Sequence, residues 1–275
     1  TGNRAVLDVG NVEPFAVSNP GAQFDLGAYE QDRPLGFATD GNNKIFIGTV
    51  AGYGRLKGAL TVYDTATGEY TVNKDIITNQ SIISLAYKGG KVYGGSSIWG
   101  GMGIDPSQTS AKFFVYDVAS GVKEKEIIPV EGKKAITALI AGPDGNIWGM
   151  DEGCLFIYDP IAGEITYNQN IISRVNYAGA DVVYNDAYMV IGKDGNVYMT
   201  IGGGLYKIDA ITKALTTIKG GGAYGLAQDH SGNLYYKNAS SLYKYDLTAD
   251  KETNLGAQVN SSSTFAAAFG KDQAG

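Results

Sequence analysis

Apolar positions along this chain alternate with polar ones in short runs, and the runs come back. LTVYDTATGEYTV (60–72), FFVYDVASGVKEKEI (113–127), LFIYDPIAGEITY (155–167), LYKIDAITKALTTI (205–218) and LYKYDLTADKETNL (242–255) each read as a strand, a turn opened by an aspartate, and a second strand. A period of two places alternate side chains on one sheet face. Asp64, Asp117, Asp159, Asp209 and Asp246 stand where a carboxylate can accept hydrogen bonds from the backbone N–H groups that follow it. A second phrase precedes each copy: TDGNNKIFIG (39–48), YKGGKVYGG (87–95), GPDGNIWGM (142–150), GKDGNVYMT (192–200) and QDHSGNLYY (228–236). Its Gly and Asn residues supply the positive φ of a tight hairpin turn, and a strand follows. Ahead of the turn lies a run of small and apolar residues, as in SIISLAY, AITALIA, AYMVIGK and AYGLAQD, which suits a place where several strands crowd together.

Two hairpins per unit give four antiparallel strands, repeated at roughly 40 to 50 residues, which is the pattern of a β-propeller. The small-residue strand is innermost (A), followed outwards by the strand after the DGN-like turn (B), the strand ending in the aspartate (C) and the strand after its turn (D). Full blades are predicted over 33–77, 80–130, 134–170, 184–219 and 222–258. SSSTFAAAFGKDQAG (261–275) reads as one more inner strand, and RAVLDV, PFAVSN and AQFDLG within residues 1–32 read as outer strands. Joining 259–275 to 1–32 makes a sixth blade and removes the free edges of the ring. The expectation is an all-β chain forming a single β-propeller domain over 1–275, with six four-stranded blades closed between the termini. Seven blades, or closure by strands of another chain, are the alternatives.

Composition narrows the partners. The 275 residues include 39 Gly and 19 Tyr but only 7 Pro, as many short strands and tight turns require. A net charge of −6 disfavours nucleic acid or an anionic membrane surface, both of which call for clustered Lys and Arg. No run approaches the roughly 18 apolar residues of a membrane-spanning helix, so no membrane insertion is expected. The single cysteine, Cys154 in EGCLFIYD, reads as a small buried side chain, which leaves no internal disulfide and no cysteine zinc site.

The DGNxY/W and YDxxxG phrases resemble those of the NHL, SMP-30 and streptogramin-lyase-like propeller superfamily. RPLGFATDGNNKIFIGT, QSIISLAY, GGSSIWGGMGI, KAITALIAGPDGNIWG and VIGKDGNVY further resemble propeller modules of large secreted bacterial proteins, found beside carbohydrate-active or adhesive domains. The resemblance covers roughly residues 33 to 247 and implies an extracellular or cell-surface setting. It also sets two catalytic expectations. Streptogramin lyases use a histidine at the mouth of the channel, but the lone His230 lies in the A–B turn DHSGN, on the other face. Lactonases of the SMP-30 type need a Glu/Asn/Asn/Asp metal set on inner strands that here offer mainly Ser, Ala, Thr and Met. Neither set is assembled, and no metal or other cofactor is expected. The DGN turns lack the ligand order of a calcium loop, and GGMGID fails the spacings of phosphate-binding loops.

In a propeller the A–B and C–D turns share one face, and the B–C and D–A connections share the other. The first set here is short and uniform; the second is irregular, and function is usually carried by such loops. Its candidate ligand-binding residues are Arg33, Tyr53, Arg55, Trp99, Asp151, Arg174, Tyr177 and Asp186. Aromatic faces beside arginines and carboxylates suit a sugar or a protein loop. Trp99, in the longest of these loops, has two roles open to it: the anchor that holds its loop down, or the platform on which a ligand stacks. The expected function is a non-catalytic extracellular recognition module for a polysaccharide or protein ligand. The alternatives are a polysaccharide lyase or lactonase-like hydrolase, in which an arginine would lower the pKa of Tyr53 or Tyr177, and a structural subunit that self-associates through its terminal strands.

Overall fold

The computed structural model describes residues 4–7, 22–184 and 186–257. The described residues are built of β-strands, with one single-turn 3-10 helix at Gly27–Tyr29. β1 (Arg4–Leu7) and β2 (Ala22–Asp25) pair antiparallel as a two-stranded sheet. Five four-stranded antiparallel sheets follow, each an up-and-down meander of consecutive strands. Blade 1 holds β3 (Gln31–Thr39), β4 (Lys44–Ala51), β5 (Ala59–Asp64) and β6 (Tyr70–Lys74). Blade 2 holds β7 (Ser81–Lys88), β8 (Lys91–Ser97), β9 (Phe113–Asp117) and β10 (Val122–Ile127). Blade 3 holds β11 (Ile136–Ala141), β12 (Ile147–Asp151), β13 (Cys154–Asp159) and β14 (Glu164–Asn170). Blade 4 holds β15 (Tyr188–Ile191), β16 (Val197–Ile201), β17 (Gly204–Ile208) and β18 (Leu215–Lys219). Blade 5 holds β19 (Tyr224–Gln228), β20 (Leu234–Asn238), β21 (Ser241–Asp246) and β22 (Lys251–Ala257).

Of the sixth blade expected between the termini, the described residues include a two-stranded N-terminal sheet. RAVL and AQFD, two of the three N-terminal pieces expected, pair directly with one another. PFAVSN and the inner strand expected at 261–275 lie outside the described residues.

Burial explains why the B and C strands read as nearly continuous apolar runs. Every residue of β12 and of β16 is buried, as are four of the five residues of β9, because these strands have packing partners on both sheet faces. The D strands β10 and β14 keep mostly exposed positions and are rich in Lys, Glu, Asn and Gln, which blunts an outer edge.

The chain falls into two compact units. One comprises the described residues up to Leu139 together with Tyr177–Tyr184; the other comprises Ile140–Asn176 and the described residues from Asp186 onward. In the first unit, Phe46 and Leu60 of blade 1 meet Ile82, Leu85, Val92 and Phe114 of blade 2 in one core. Phe24 of β2 stacks on Tyr63 and Tyr70, with ring centroids 5.1 and 4.6 Å apart, which seats the N-terminal hairpin on blade 1. In the second unit, Tyr198 and Leu205 of blade 4 pack with Leu226, Leu234 and Tyr236 of blade 5. Among the described residues no helix is long and apolar enough to cross a membrane.

The aspartates that end the C strands act as the sequence suggests. Asp64 accepts from the N–H of Ala66 (2.9 Å), Asp117 from Ser120 (2.7 Å), Asp159 from Ile161 (2.7 Å), Asp209 from Thr212 (2.7 Å) and Asp246 from Ala249 (2.9 Å). The DGN aspartates do more than open a turn. Asp144 accepts from the Trp148 indole N–H (2.9 Å), Asp194 from the Tyr198 hydroxyl (3.0 Å) and Asp229 from the Tyr235 hydroxyl (3.0 Å), so each ties its turn to the following strand. His230 lies exposed in the last of these turns, and Cys154 is buried at the start of β13.

Candidate functional site

The candidate site lies in the first unit, where the B–C connections of blades 1 and 2 meet. The blade 1 connection, AGYGRLKG (51–58), begins as a tight turn: the Arg55 N–H donates to the Gly52 carbonyl at 3.1 Å, with Gly54 at φ +69° in the third position. A turn closed this way with a positive φ there is the kind that favours glycine, and it throws the residue at its corner, Tyr53, outward. Tyr53 is 74% exposed.

The blade 2 connection, residues 98–112, is fixed to this turn backbone to backbone. The Gly101 N–H donates to the Arg55 carbonyl and the Gly54 N–H donates to the Met102 carbonyl, both at 2.8 Å. The approach is so close that only hydrogen fits between the chains: a Cβ on Gly100 would stand 2.4 Å from the Arg55 oxygen, and one on Gly101 would stand 2.0 Å from the Gly52 oxygen. The glycines of SIWGGMGID are therefore contact surfaces as much as bends.

Gly103 forms the seat of the Tyr53 ring. A Cβ placed there would lie 2.5 Å from Cζ, 2.7 Å from Oη and 3.0 Å from Cε1. The ring carbon comes first in that order, as it does when the ring is approached through its face; an in-plane approach between Oη and Cε1 would leave Cζ furthest away. One face of the ring thus rests on Gly103. Met102 (49% exposed) and Ile104 (38% exposed) continue the apolar surface beside it.

Two buried amides hold the base of this structure. Gln31 donates to the carbonyls of Tyr29 and Lys57, each at 3.1 Å, and accepts from the Thr49 hydroxyl at 2.7 Å. Gln80 donates to the Ser110 carbonyl at 2.8 Å and receives the Ser96 hydroxyl, while its backbone carbonyl takes the Gly58 N–H at 2.9 Å. These bonds tie loop carbonyls to the buried strand ends beneath them. Around the turn, Glu30 receives Arg55 on one carboxylate oxygen and Lys74 on the other, and Lys57 faces Asp75 at 3.7 Å.

The other predicted residues fall into two groups. In the first unit, Trp99 is only 4% exposed: Lys134 Nζ lies 5.8 Å from its ring centre, and its carbonyl accepts the Ser81 hydroxyl at 2.6 Å. Of the two roles open to it, burial gives it the anchor. The segment Tyr177–Tyr184 packs on the same loop, with the Tyr184 hydroxyl donating to the Gly100 carbonyl (2.6 Å) and the Ser97 hydroxyl to the Val183 carbonyl (2.7 Å). Tyr177 is buried. Arg33 pairs with Asp32 at 3.3 Å and lies over the Tyr184 ring at 5.8 Å. Burial pushes the Tyr184 phenol up from its ordinary value.

In the second unit, Arg174 spends its guanidinium within the fold: Nε donates to the Tyr206 hydroxyl at 3.0 Å and Nη1 to the Gly202 carbonyl at 3.0 Å. Asp186 accepts the Gly202 N–H at 3.2 Å, and Asp151 is buried at the end of β12 beside Glu152. Of the arginines expected to serve tyrosine acid–base chemistry, Arg55 is engaged by Glu30 and Arg174 by the Tyr206 hydroxyl. Sequence reasoning missed Glu30, Lys74, Met102, Gly103 and Ile104. The GYG and GGMG patterns marked bends, but nothing in either showed that the two bends interlock.

No family model and no curated protein sequence matches the chain. Solved structures do. The extracellular domain of BT4673 from B. thetaiotaomicron superposes with a TM-score of 0.58 at 15% identity, over 85% of this chain and 29% of that one. This chain thus spans less than a third of that protein's length. A catalytically inactive histidine variant of virginiamycin B lyase from Staphylococcus aureus, solved with quinupristin, superposes with a TM-score of 0.62 at 12% identity, over 94% of this chain and 75% of that one. A chain of the mitotic checkpoint complex matches with a TM-score of 0.58 at 11% identity, over 82% of this chain and 64% of that one. The fold shared with these structures is all-β, with five four-stranded antiparallel sheets among the described residues, consistent with a β-propeller. The diversity of these neighbours leaves function to be argued from the site.

Proposed function

We propose that this chain is a non-catalytic, extracellular recognition module that binds a polysaccharide or protein ligand on the loop-bearing face of its blades, with Tyr53 and Arg55 at the centre of the site. The observation that carries this reading is the fusion of two irregular connections into one backbone-bonded platform, with a large aromatic side chain left 74% exposed on top. A rigid support under an exposed apolar group lowers the ordering cost of binding, which is what a recognition surface needs. The placement outside the cell leans on the BT4673 neighbour, an extracellular domain.

A lyase reading draws less support. The neighbouring virginiamycin B lyase is catalytically inactive as a histidine variant, whereas the lone histidine here, His230, lies exposed in an A–B turn, at the opposite end of its blade from the B–C connection. Immobilised full-length protein, challenged with polysaccharide and peptide libraries and compared with its Tyr53→Ala variant, tests the proposal. Capture that depends on Tyr53 supports it. Capture indifferent to Tyr53, or turnover of the captured ligand, counts against it.

A further inference from the structure

Resting on that reading, we infer that the ligand is a neutral glycan, one of whose sugar rings stacks on the open face of Tyr53. Three observations converge on this. First, the ring is presented by one face: Gly103 occupies the other, and a planar aromatic held flat with one side open is the shape on which the C–H face of a pyranose packs.

Second, the polar groups around the ring are matched in charge. Arg55, Lys57 and Lys74 are met by Glu30 and Asp75 in ion pairs, and the exposed Asp105 lies on the adjoining loop. Three cations beside three carboxylates give no net field to draw in a polyanion such as a uronate or a sulfated chain. They do offer N–H donors and a carboxylate acceptor side by side, which is what neighbouring hydroxyls, each both donor and acceptor, require.

Third, two of the charged groups are held in costly backbone conformations. Eight non-glycine residues among those described adopt a positive φ, and four of them, Glu30 (61°), Lys57 (78°), Asp75 (59°) and Asn79 (57°), lie on the connections that build this platform. Asn79 reaches the blade 2 loop through Ser107 at 3.1 Å. Asn and Asp enter this region readily, but Glu30 and Lys57 hold ion-pairing side chains where glycine would sit more easily, a pattern typical of binding sites.

The test uses the full chain in affinity electrophoresis and titration calorimetry. The probes are neutral polysaccharides (galactomannan, β-glucan, xylan), a polyuronate (polygalacturonate) and a sulfated polymer (heparin). The inference expects binding to at least one neutral polymer, unchanged between about 50 and 500 mM salt. Tyr53→Ala should weaken it about tenfold or more and Tyr53→Trp should retain it. Because Tyr53 is exposed at a turn corner, both variants should fold, which circular dichroism verifies. Binding confined to the anionic polymers, lost in Tyr53→Ala and falling with salt, overturns the neutral-glycan inference but leaves a recognition site at Tyr53 standing. Glycan binding that Tyr53→Ala leaves intact overturns both. Failure to bind any polysaccharide overturns the inference, and the recognition reading then stands or falls on Tyr53-dependent capture from the peptide library.

Discussion

A single methyl group at position 101 should separate the two loops that carry the site. In Gly101→Ala the new Cβ would stand 2.0 Å from the Gly52 carbonyl oxygen, 2.6 Å from the Gly52 carbon and 2.7 Å from the Ala51 oxygen. All three are backbone atoms, so no side chain can rotate away, and the loops must part by about 1 Å to restore van der Waals contact. That displacement breaks the bonds from Gly101 N–H to Arg55 and from Gly54 N–H to Met102, each 2.8 Å in the structure. At about 1 kcal/mol net per bond the cost is about 2 kcal/mol, which for a chain of this size lowers Tm by roughly 4–8 °C. The Tyr53 ring should lose its seat at the same time. Calorimetry gives the first quantity, and hydrogen exchange at the Gly54 and Gly101 amides gives the second, since both should exchange faster in the variant. Gly179→Ala is the control: nothing lies within 4 Å of a Cβ there, and its effect should stay within about 0.5 kcal/mol. If Gly101→Ala melts with the wild type and its two amides stay protected, the loops are not held together as described.

Other consequences can be measured separately. Phe114→Ala empties a fully buried position in the core shared by blades 1 and 2 and should cost about 3–5 kcal/mol in urea unfolding; a loss below about 1 kcal/mol would place that ring outside the core. Glu30→Gly removes two exposed ion pairs but relieves a left-handed residue at φ 61°, so stability should stay within about 1 kcal/mol while ligand affinity drops; unchanged affinity would remove Glu30 from the site. Lys213 lies 4.2 Å from the Trp148 ring centre and 3.6 Å from Asp144, with its side chain 15% exposed, so Lys213→Gln should cost about 1 kcal/mol and equal stability would discount the contact. Acid should destabilise the fold through the DGN aspartates. Burial raises the Asp144 and Asp194 carboxyls, but the hydrogen bonds and lysines around them outweigh it, and both end below the ordinary value of 3.8. A lowered carboxyl stabilises the fold above its unfolded pKa, and that stability is lost as pH falls through the folded value. Urea midpoints should therefore hold from neutral pH to about pH 5 and drop steeply below about pH 4, with a shallower drop in Asp144→Asn.

The strands were legible because their cause is local. Period-two alternation, an aspartate at the end of each C strand and Gly/Asn turns act over a few residues, and they located the five four-stranded sheets. Trp99 shows where local reading stops. An aromatic in a glycine-rich loop has the same sequence whether it points out or in, and its burial is decided by Lys134 and by the Tyr177–Tyr184 segment, which lie far along the chain. The platform depends on the same kind of distant contact. Gly101 and Gly103 are interpretable as glycines only once Gly52 and Tyr53 are known to lie against them. Gln31 and Gln80 hold loop carbonyls that lie 26 and 30 residues away in the chain. The Asp144–Trp148 bond, by contrast, spans four residues and could have been read from the recurring DGNxY/W phrase.

The account turns on Tyr53 being a fixed, one-sided platform that touches the ligand. The most direct measurement is saturation-transfer NMR on the full chain with a neutral oligosaccharide cut from a binding polymer, irradiating the aromatic protons. The account predicts transfer concentrated on the C–H protons of one face of one sugar ring, and its disappearance in Tyr53→Ala while Tyr177→Phe keeps it. Equal transfer in Tyr53→Ala and wild type would contradict it, because the sugar would then be held elsewhere.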